Sequence, residues 1–265
     1  MLRTESAGSD IAYATQGSAG PKVLLVMGLG MRGIVWGPQI DDLSRDHQVA
    51  WFDHRGIGDS SPVRAAFRID DLASDAVAVL DALGWEQAHV VGVSLGGMVA
   101  QEIALGFPGR VRSLTLIATH PGGPLGILPA PRGALRFAQS VVWRKPEALA
   151  ELLYPASFLR DVDHEALQAR MRAQFGRRQS RRTVAYQLGA VMRHDTRSRL
   201  GQIAVPTMVV KPGADILVRP FHSDDLVRMI PGARLLELAD AGHGVTFQCA
   251  REVNDAVRDL VARVA

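Results

Sequence analysis

The chain has 265 residues, of which 47% are apolar and 22% charged, a balance that excludes disorder and lets a single domain bury roughly three quarters of the surface its unfolded form exposes. Its net charge of +3 is unevenly spread: residues 1–121 carry 9 basic and 13 acidic side chains, residues 122–200 carry 14 and 6, and residues 201–265 carry 7 and 8. With the basic middle block set aside no nucleic-acid footprint remains, and without a long apolar run or an apolar leader in Met1 to Asp10 the chain is expected to be cytoplasmic, with no membrane partner.

The first predicted strand, Asp10–Ala14, is more polar than those that follow and suits an antiparallel edge. Val23–Met27 comes next and runs into Gly28-Leu29-Gly30, whose glycines let the backbone approach a ligand closely. Gly28, Gly30 and Gly33 also form a loose dinucleotide fingerprint, with Asp53 at the end of the next strand, Gln48–Phe52, as its acid. Trp36 and Pro38 follow in that loop, however, and a glycine run alone is weak. A helix is predicted where Leu72, Ala76, Val77, Leu80 and Leu83 recur on one face, with Gly84 at its C′ position.

The strand His89–Val93 leads into Gly92-Val93-Ser94-Leu95-Gly96 and then a helical segment reaching Phe107, before Pro108. Gly-x-Ser-x-Gly in that context sets the serine on a strand-to-helix turn in strained backbone geometry. Gly92 and Gly96 are needed because side chains there would collide with the strand and the helix. The turn lifts the Ser94 hydroxyl above the sheet and leaves the N–H of Leu95 at a helix N-terminus, where it can stabilise a developing oxyanion. The loop after Val23–Met27 offers a second such donor, the N–H of Leu29.

After the strand Ser113–Ala118 the alternation of strands and helices stops. Pro121-Gly122-Gly123-Pro124 is a turn-rich exit, and Gly122 to Leu200 reads as an all-helical insertion with helices near Pro131–Ser140, Glu147–Leu153, Asp163–Phe175 and Ser180–His194. Its arginines, among them Arg170, Arg172, Arg177, Arg178, Arg181, Arg182, Arg193, Arg197 and Arg199, suit a solvated face. The competing expectation is that some face a pocket mouth and favour anionic substrates.

The sheet resumes at Val205–Val210, which ends in Lys211-Pro212-Gly213-Ala214-Asp215 and delivers Asp215 to the same carboxyl edge as Ser94. Arg234–Leu238 then leads to Asp240-Ala241-Gly242-His243-Gly244, and a helix carrying Val253, Val257, Leu260, Val261 and Val264 closes the chain. A serine needs a base and an orienting acid, here in the chain order Ser94, Asp215, His243. Asp224 and Asp225 fall in a predicted helix, and Asp240 suits a turn. Glycines on both sides let the imidazole of His243 project from a tight bend. His47, His89, His164, His194 and His222 fit surface or helix positions, whereas His54 and His120 stand at strand ends. Cys249, the only cysteine, excludes an internal disulfide and a Cys-based metal cluster and reads as a small core residue.

Taken together, Met27-Gly28-Leu29-Gly30 with Trp36, Phe52-Asp53-His54-Arg55-Gly56-Ile57-Gly58-Asp59-Ser60, Gly92–Gly96 with Gln101-Glu102, Gly213-Ala214-Asp215 and Gly242-His243 resemble the α/β-hydrolase superfamily over essentially the whole chain. The likeness is greatest to the bacterial esterase-like branch that includes enol-lactone lactonases and the methylesterases of polyketide tailoring. One departure is Met27, where many members carry histidine; backbone donation from Leu29 survives that change.

The resemblance implies an α/β fold with a mostly parallel sheet and helices on both faces, residues 1–121 and 201–265 forming the core and 122–200 a helical lid. It implies that Asp53–Ser60 is a structural turn and that a serine hydrolase acts on a small-molecule ester or lactone without metal or organic cofactor. Gly28, Trp36 and His120 are expected to line its pocket. Branches with an aspartate nucleophile are disfavoured by Ser94. Carbon–carbon bond hydrolases, cofactor-free perhydrolases and small-molecule receptors on the same fold remain as alternatives.

Overall fold

The computed structural model describes residues 1–123, 126, 128–141, 145–165, 167, 168, 171 and 180–264. Among the described residues eight strands form one sheet: β1 (Leu2–Ser6), β2 (Ser9–Gln16), β3 (Lys22–Val26), β4 (Gln48–Phe52), β5 (Ala88–Val93), β6 (Val111–Ile117), β7 (Thr207–Pro212) and β8 (Arg234–Leu238), in the order β1-β2-β4-β3-β5-β6-β7-β8. The β1–β2 and β2–β4 pairs are antiparallel and the rest parallel, so β2 is antiparallel as expected but paired on both sides, and the edge strand is β1. The sequence reading lacked β1. Its hairpin partner is reached through Ala7 and Gly8, both at positive φ (46° and 74°), as a two-residue turn of this twist requires.

Alternation along the strands sorts apolar side chains onto two faces. Val23, Leu25 and Met27 join Val91, Val93, Met208 and Val210 in one core cluster, which includes Ile40 and Leu43 of α1 (Gly37–Leu43) and Val253, Val257 and Leu260 of α10 (Ala250–Ala262). Leu24, Val26, Val90, Leu114, Leu116 and Val209 lie in the other, with α2 (Ile69–Ala82) and α3 (Leu95–Gly106). The helix predicted from Leu72 to Leu83 is α2, and Gly84 beyond its end has φ 64°. Strand limits shift where prolines intervene. β7 starts at Thr207 rather than Val205 and extends through Lys211 and Pro212, which pair with Glu237 and Leu238.

Between β6 and β7 the regular elements longer than one turn among the described residues are helices: α4 (Pro131–Val141), α5 (Pro146–Leu153), α6 (Ala156–Asp161) and α7 (Arg181–Arg193). The expected helix Asp163–Phe175 lies largely outside the described residues. The segment's two ends meet. Thr196 N–H donates to the Pro121 carbonyl at 2.9 Å, Gly123 N–H to that of His194 at 3.3 Å, and Gly122 bridges Asp195. Gln101 of α3 holds both sides of this junction, donating to the His120 carbonyl and accepting from Thr196 Oγ1. α8 (Phe221–Met229) and the short α9 (Val245–Gln248) complete the chain.

Candidate active site

β5 hands its chain to α3 through Ser94, which sits at φ 56°, ψ −121°, a conformation that costs a side-chain-bearing residue of order 1–3 kcal/mol. The surrounding structure fixes it. Ser94 N–H donates to the Ile117 carbonyl at 2.9 Å, and the Ser94 carbonyl accepts from Thr119 Oγ1 at 2.7 Å. The flanking glycines are required by contact, as expected: a Cβ on Gly92 would overlap the Gly96 carbonyl, and one on Gly96 the Val26 carbonyl. The chain therefore crosses itself where no side chain fits, and Ser94 is left half-buried at the carboxyl edge of the sheet.

At the same edge, the loop after β7 carries Asp215 and the loop after β8 carries His243, both buried. Nδ1 of His243 donates to Oδ2 of Asp215 at 2.7 Å, while Oδ1 of Asp215 accepts from the N–H groups of Leu217 and Val218 at 2.8 and 2.9 Å. A carboxylate so engaged fixes the ring's proton on Nδ1 and leaves Nε2 as the basic nitrogen. The rival acids are occupied elsewhere. Asp224 takes Lys211, Asp225 takes Arg228, and Asp240 is exposed.

The glycines beside His243 serve a purpose other than the expected tight bend, since neither has a positive φ. A Cβ on Gly242 would press on the Leu153 carbonyl and one on Gly244 on the ring of Tyr154. Gly244 N–H also donates to Leu153 O at 2.8 Å. They let the end of α5 settle directly onto the histidine loop.

Gly28 lies against Ser94, with an added Cβ 3.5 Å from that of the serine. Leu29 and Leu95 follow their strands as expected, and among the described residues neither N–H is taken by a hydrogen bond. Trp36 is wholly buried in the core cluster of the α1 and α10 face. His120 is buried, accepts from Gly122 N–H through Nδ1, and stands with ring centroids 5.5 Å from His222 and 6.4 Å from His194. Burial, and then the charges of His194, His222 and His243, push its pKa down to about 3.

His47, His89, His194 and His222 are likewise buried rather than at the surface, with His222 in α8. His89, for example, meets Ser113 Oγ at 2.8 Å. Among the described residues no group of three or more His, Cys, Asp or Glu is arranged to hold a metal ion.

Asp53, the acid a dinucleotide site would need, instead accepts from the N–H groups of Gly33 and Asp59 at 2.7 and 2.9 Å. Gly33 is a glycine because a Cβ would strike the Phe52 carbonyl. Arg182, Arg197 and Arg199 are bound to the Arg64 carbonyl, Asp195 and Glu102, and Arg170, Arg172, Arg177 and Arg178 lie outside the described residues. Sequence reasoning missed Gln187 of α7, wholly buried, whose Oε1 accepts from Gly30 N–H at 2.8 Å. No local signal marks a contact spanning 157 positions.

A strained serine, a carboxylate-held imidazole and two N–H groups without a hydrogen bond among the described residues stand at the carboxyl ends of strands of one sheet. The chain belongs to the alpha/beta hydrolase fold family, whose model matches residues 21–248. Among curated relatives, the "Putative carbamate hydrolase RutD" of Azorhizobium caulinodans is 34% identical over 243 residues, 89% of this chain and 88% of that protein. A hydrolase of Pseudomonas aeruginosa PA01 superposes with a TM-score of 0.84 at 28% identity over 97% of this chain and 96% of its own. Est816, described as an N-acyl homoserine lactone degrading enzyme, does so with 0.83 at 27% over 97% and 99%.

Proposed function

We propose that the protein is a serine hydrolase that cleaves a small-molecule carboxylic ester or lactone through an acyl-enzyme intermediate. Ser94 Oγ attacks the carbonyl carbon while His243 Nε2 takes its proton. The negative oxygen that forms is held by the N–H groups of Leu29 and Leu95, and Asp215 steadies the imidazolium. The imidazolium then gives its proton to the departing alkoxide as the carbon–oxygen bond breaks. Water, deprotonated by the same nitrogen, releases the acid and restores Ser94. These steps need no metal or organic cofactor. Residues 122–200 act as a cap that shapes the pocket, since the end of α5 rests on the loop of His243 and α7 touches the loop of Leu29.

The observation that carries the reading is the 2.7 Å Asp215–His243 bond on the sheet edge that also bears Ser94 at φ 56°. Relatives named as acting on a carbamate and on an N-acyl homoserine lactone share an acyl carbon bearing a heteroatom leaving group, the chemistry this arrangement serves.

The test is turnover of a panel of p-nitrophenyl esters, homoserine lactones, enol lactones, simple carbamates and vinylogous diketones by wild type and Ser94→Ala, with a fluorophosphonate as covalent label. Ester or lactone turnover that falls at least about a thousandfold in Ser94→Ala is expected, with the label on Ser94. A variant within tenfold of wild type, or an adduct on another residue, removes the assignment. Turnover confined to the diketones moves it to carbon–carbon cleavage.

A further inference from the structure

Gln187 of the helical segment hydrogen-bonds the loop of Leu29, and only half of its amide is used. Its exposure is 0%. The bond from Gly30 N–H, 2.8 Å long, fixes which half: an N–H can only donate, so the atom facing it is Oε1 and not Nε2. Nε2 is then buried with no hydrogen-bond partner among the described residues. Ordinary amide bond lengths set the two atoms about 2.2 Å apart, which puts Nε2 within about 5 Å of the Gly30 nitrogen. That nitrogen is one residue from the N–H assigned above to the oxyanion.

The helix that carries Gln187 is firmly seated. Thr183, Gln187 and Ala190, at spacings of four and three, make one buried face of α7. Thr183 fills the space above Gly56, where a Cβ would collide with it. The ring of Tyr186 meets that of Phe67 at 6.2 Å, and Ala190 joins the core cluster of α2 and α3. The backbone that carries Gln187 is thus fixed by packing of its neighbours, and its Oε1 by Gly30 N–H. Leaving a buried amide donor unmet costs of order 1–3 kcal/mol, which an acceptor oxygen of a ligand would recover.

We infer that Gln187 sets substrate specificity: Oε1 anchors the loop that carries the Leu29 N–H, and Nε2 offers one hydrogen-bond donor to an acceptor oxygen of the substrate beyond the scissile carbonyl. The fitting substrate is an ester or lactone whose acyl or alcohol portion carries a carbonyl, ether or hydroxyl oxygen near the reacting centre. An all-hydrocarbon chain leaves the donor unmet and is discriminated against, as sites built to hydrogen-bond a group reject analogues that lack it. This inference rests on the hydrolase reading.

The experiment compares kcat/KM across two series. In one, successive methylenes of p-nitrophenyl hexanoate are replaced by ether oxygen or carbonyl; in the other, the same changes are made in the alcohol chain of a hexyl ester. Wild type is expected to prefer at least one oxygen-bearing member over its hydrocarbon parent by about tenfold or more, the range a satisfied donor supplies. Gln187→Met keeps the volume and removes both polar atoms, and should erase the preference while still turning over the parent. Gln187→Glu keeps an acceptor for Gly30 N–H and removes the donor, so it should also erase it, which keeps the test open if the methionine variant does not fold.

The ratio between substrates separates specificity from a general loss of loop order, which lowers all rates alike. A wild type without preference, or a variant that keeps it, overturns the role of Gln187 while leaving the hydrolase reading intact. Absence of turnover of every member by wild type overturns both.

Discussion

Asp215 uses both carboxylate oxygens in different directions, and a single atom change exploits the difference. In Asp215→Asn the two N–H donors of Leu217 and Val218 retain the remaining carbonyl oxygen, so the new NH2 must face Nδ1 of His243. Two donors cannot meet; the ring proton moves to Nε2, and the base is lost while the packing stays. Turnover of any ester found for wild type should drop on the order of 10³–10⁴-fold with little change in melting temperature. Asp240→Asn, at an exposed position, should keep activity within about threefold of wild type. Steady-state kinetics on the two variants decide between these acids, and the reverse outcome moves the role to Asp240. At this scale the sequence was informative because Ser94, Asp215 and His243 each follow a strand and keep a fixed chain order. Gln187 was illegible, since only tertiary packing brings α7 to Gly30.

Elements meet at the glycines beside His243, where the end of α5 packs without intervening side chains. Gly242→Ala sets a methyl against the Leu153 carbonyl, a backbone atom that moves only if α5 moves. The strain should cost about 1–3 kcal/mol, equivalent to a fall of roughly 2–5 °C in melting temperature for a chain of this size, and the shift of the histidine loop should lower kcat. Gly244→Ala presses on the ring of Tyr154, which is buried against Phe158 and Phe247, so its cost should be of the same order; calorimetry that finds either variant as stable as wild type contradicts the packing. Alternating and periodic segments such as β3, β4, α2 and α10 could be read from the sequence because one buried face dictates their pattern. β1 escaped because Leu2 and Thr4 are exposed or half-exposed, so no alternation registers, and α6 because six residues are too few to show a period.

Across the whole molecule the buried histidines make stability depend on acidity. Burial, followed by neighbouring positive groups, lowers His89 and His194 to about 4, and with its histidine neighbours lowers His120 to about 3. The unfolded chain binds protons near the ordinary 6.5 while the folded one refuses them. Stability is therefore full above about pH 6.5 and declines as pH falls towards the folded values, by about 1.4 kcal/mol per unit for each such group. The urea midpoint should accordingly drop steeply between pH 7 and 5, and His194→Gln should show a shallower slope. A midpoint independent of pH over that interval would contradict the buried, uncharged state.

The junction at Gly122 and Asp195 gives the chain a property that belongs to topology rather than chemistry. Because Pro121 and Thr196 are already joined by hydrogen bonds, the sheet experiences everything between them as a closed loop of almost no span. Closure entropy rises only slowly with the number of residues enclosed, so lengthening or trimming that stretch in its exposed turns costs the sheet little. The neck itself has no such freedom: Gly122 holds φ 89°, and a Cβ there would overlap the His194 carbonyl. Changes of length beyond the neck, in the exposed turns, are therefore expected to leave the sheet intact, whereas changes at the neck are not.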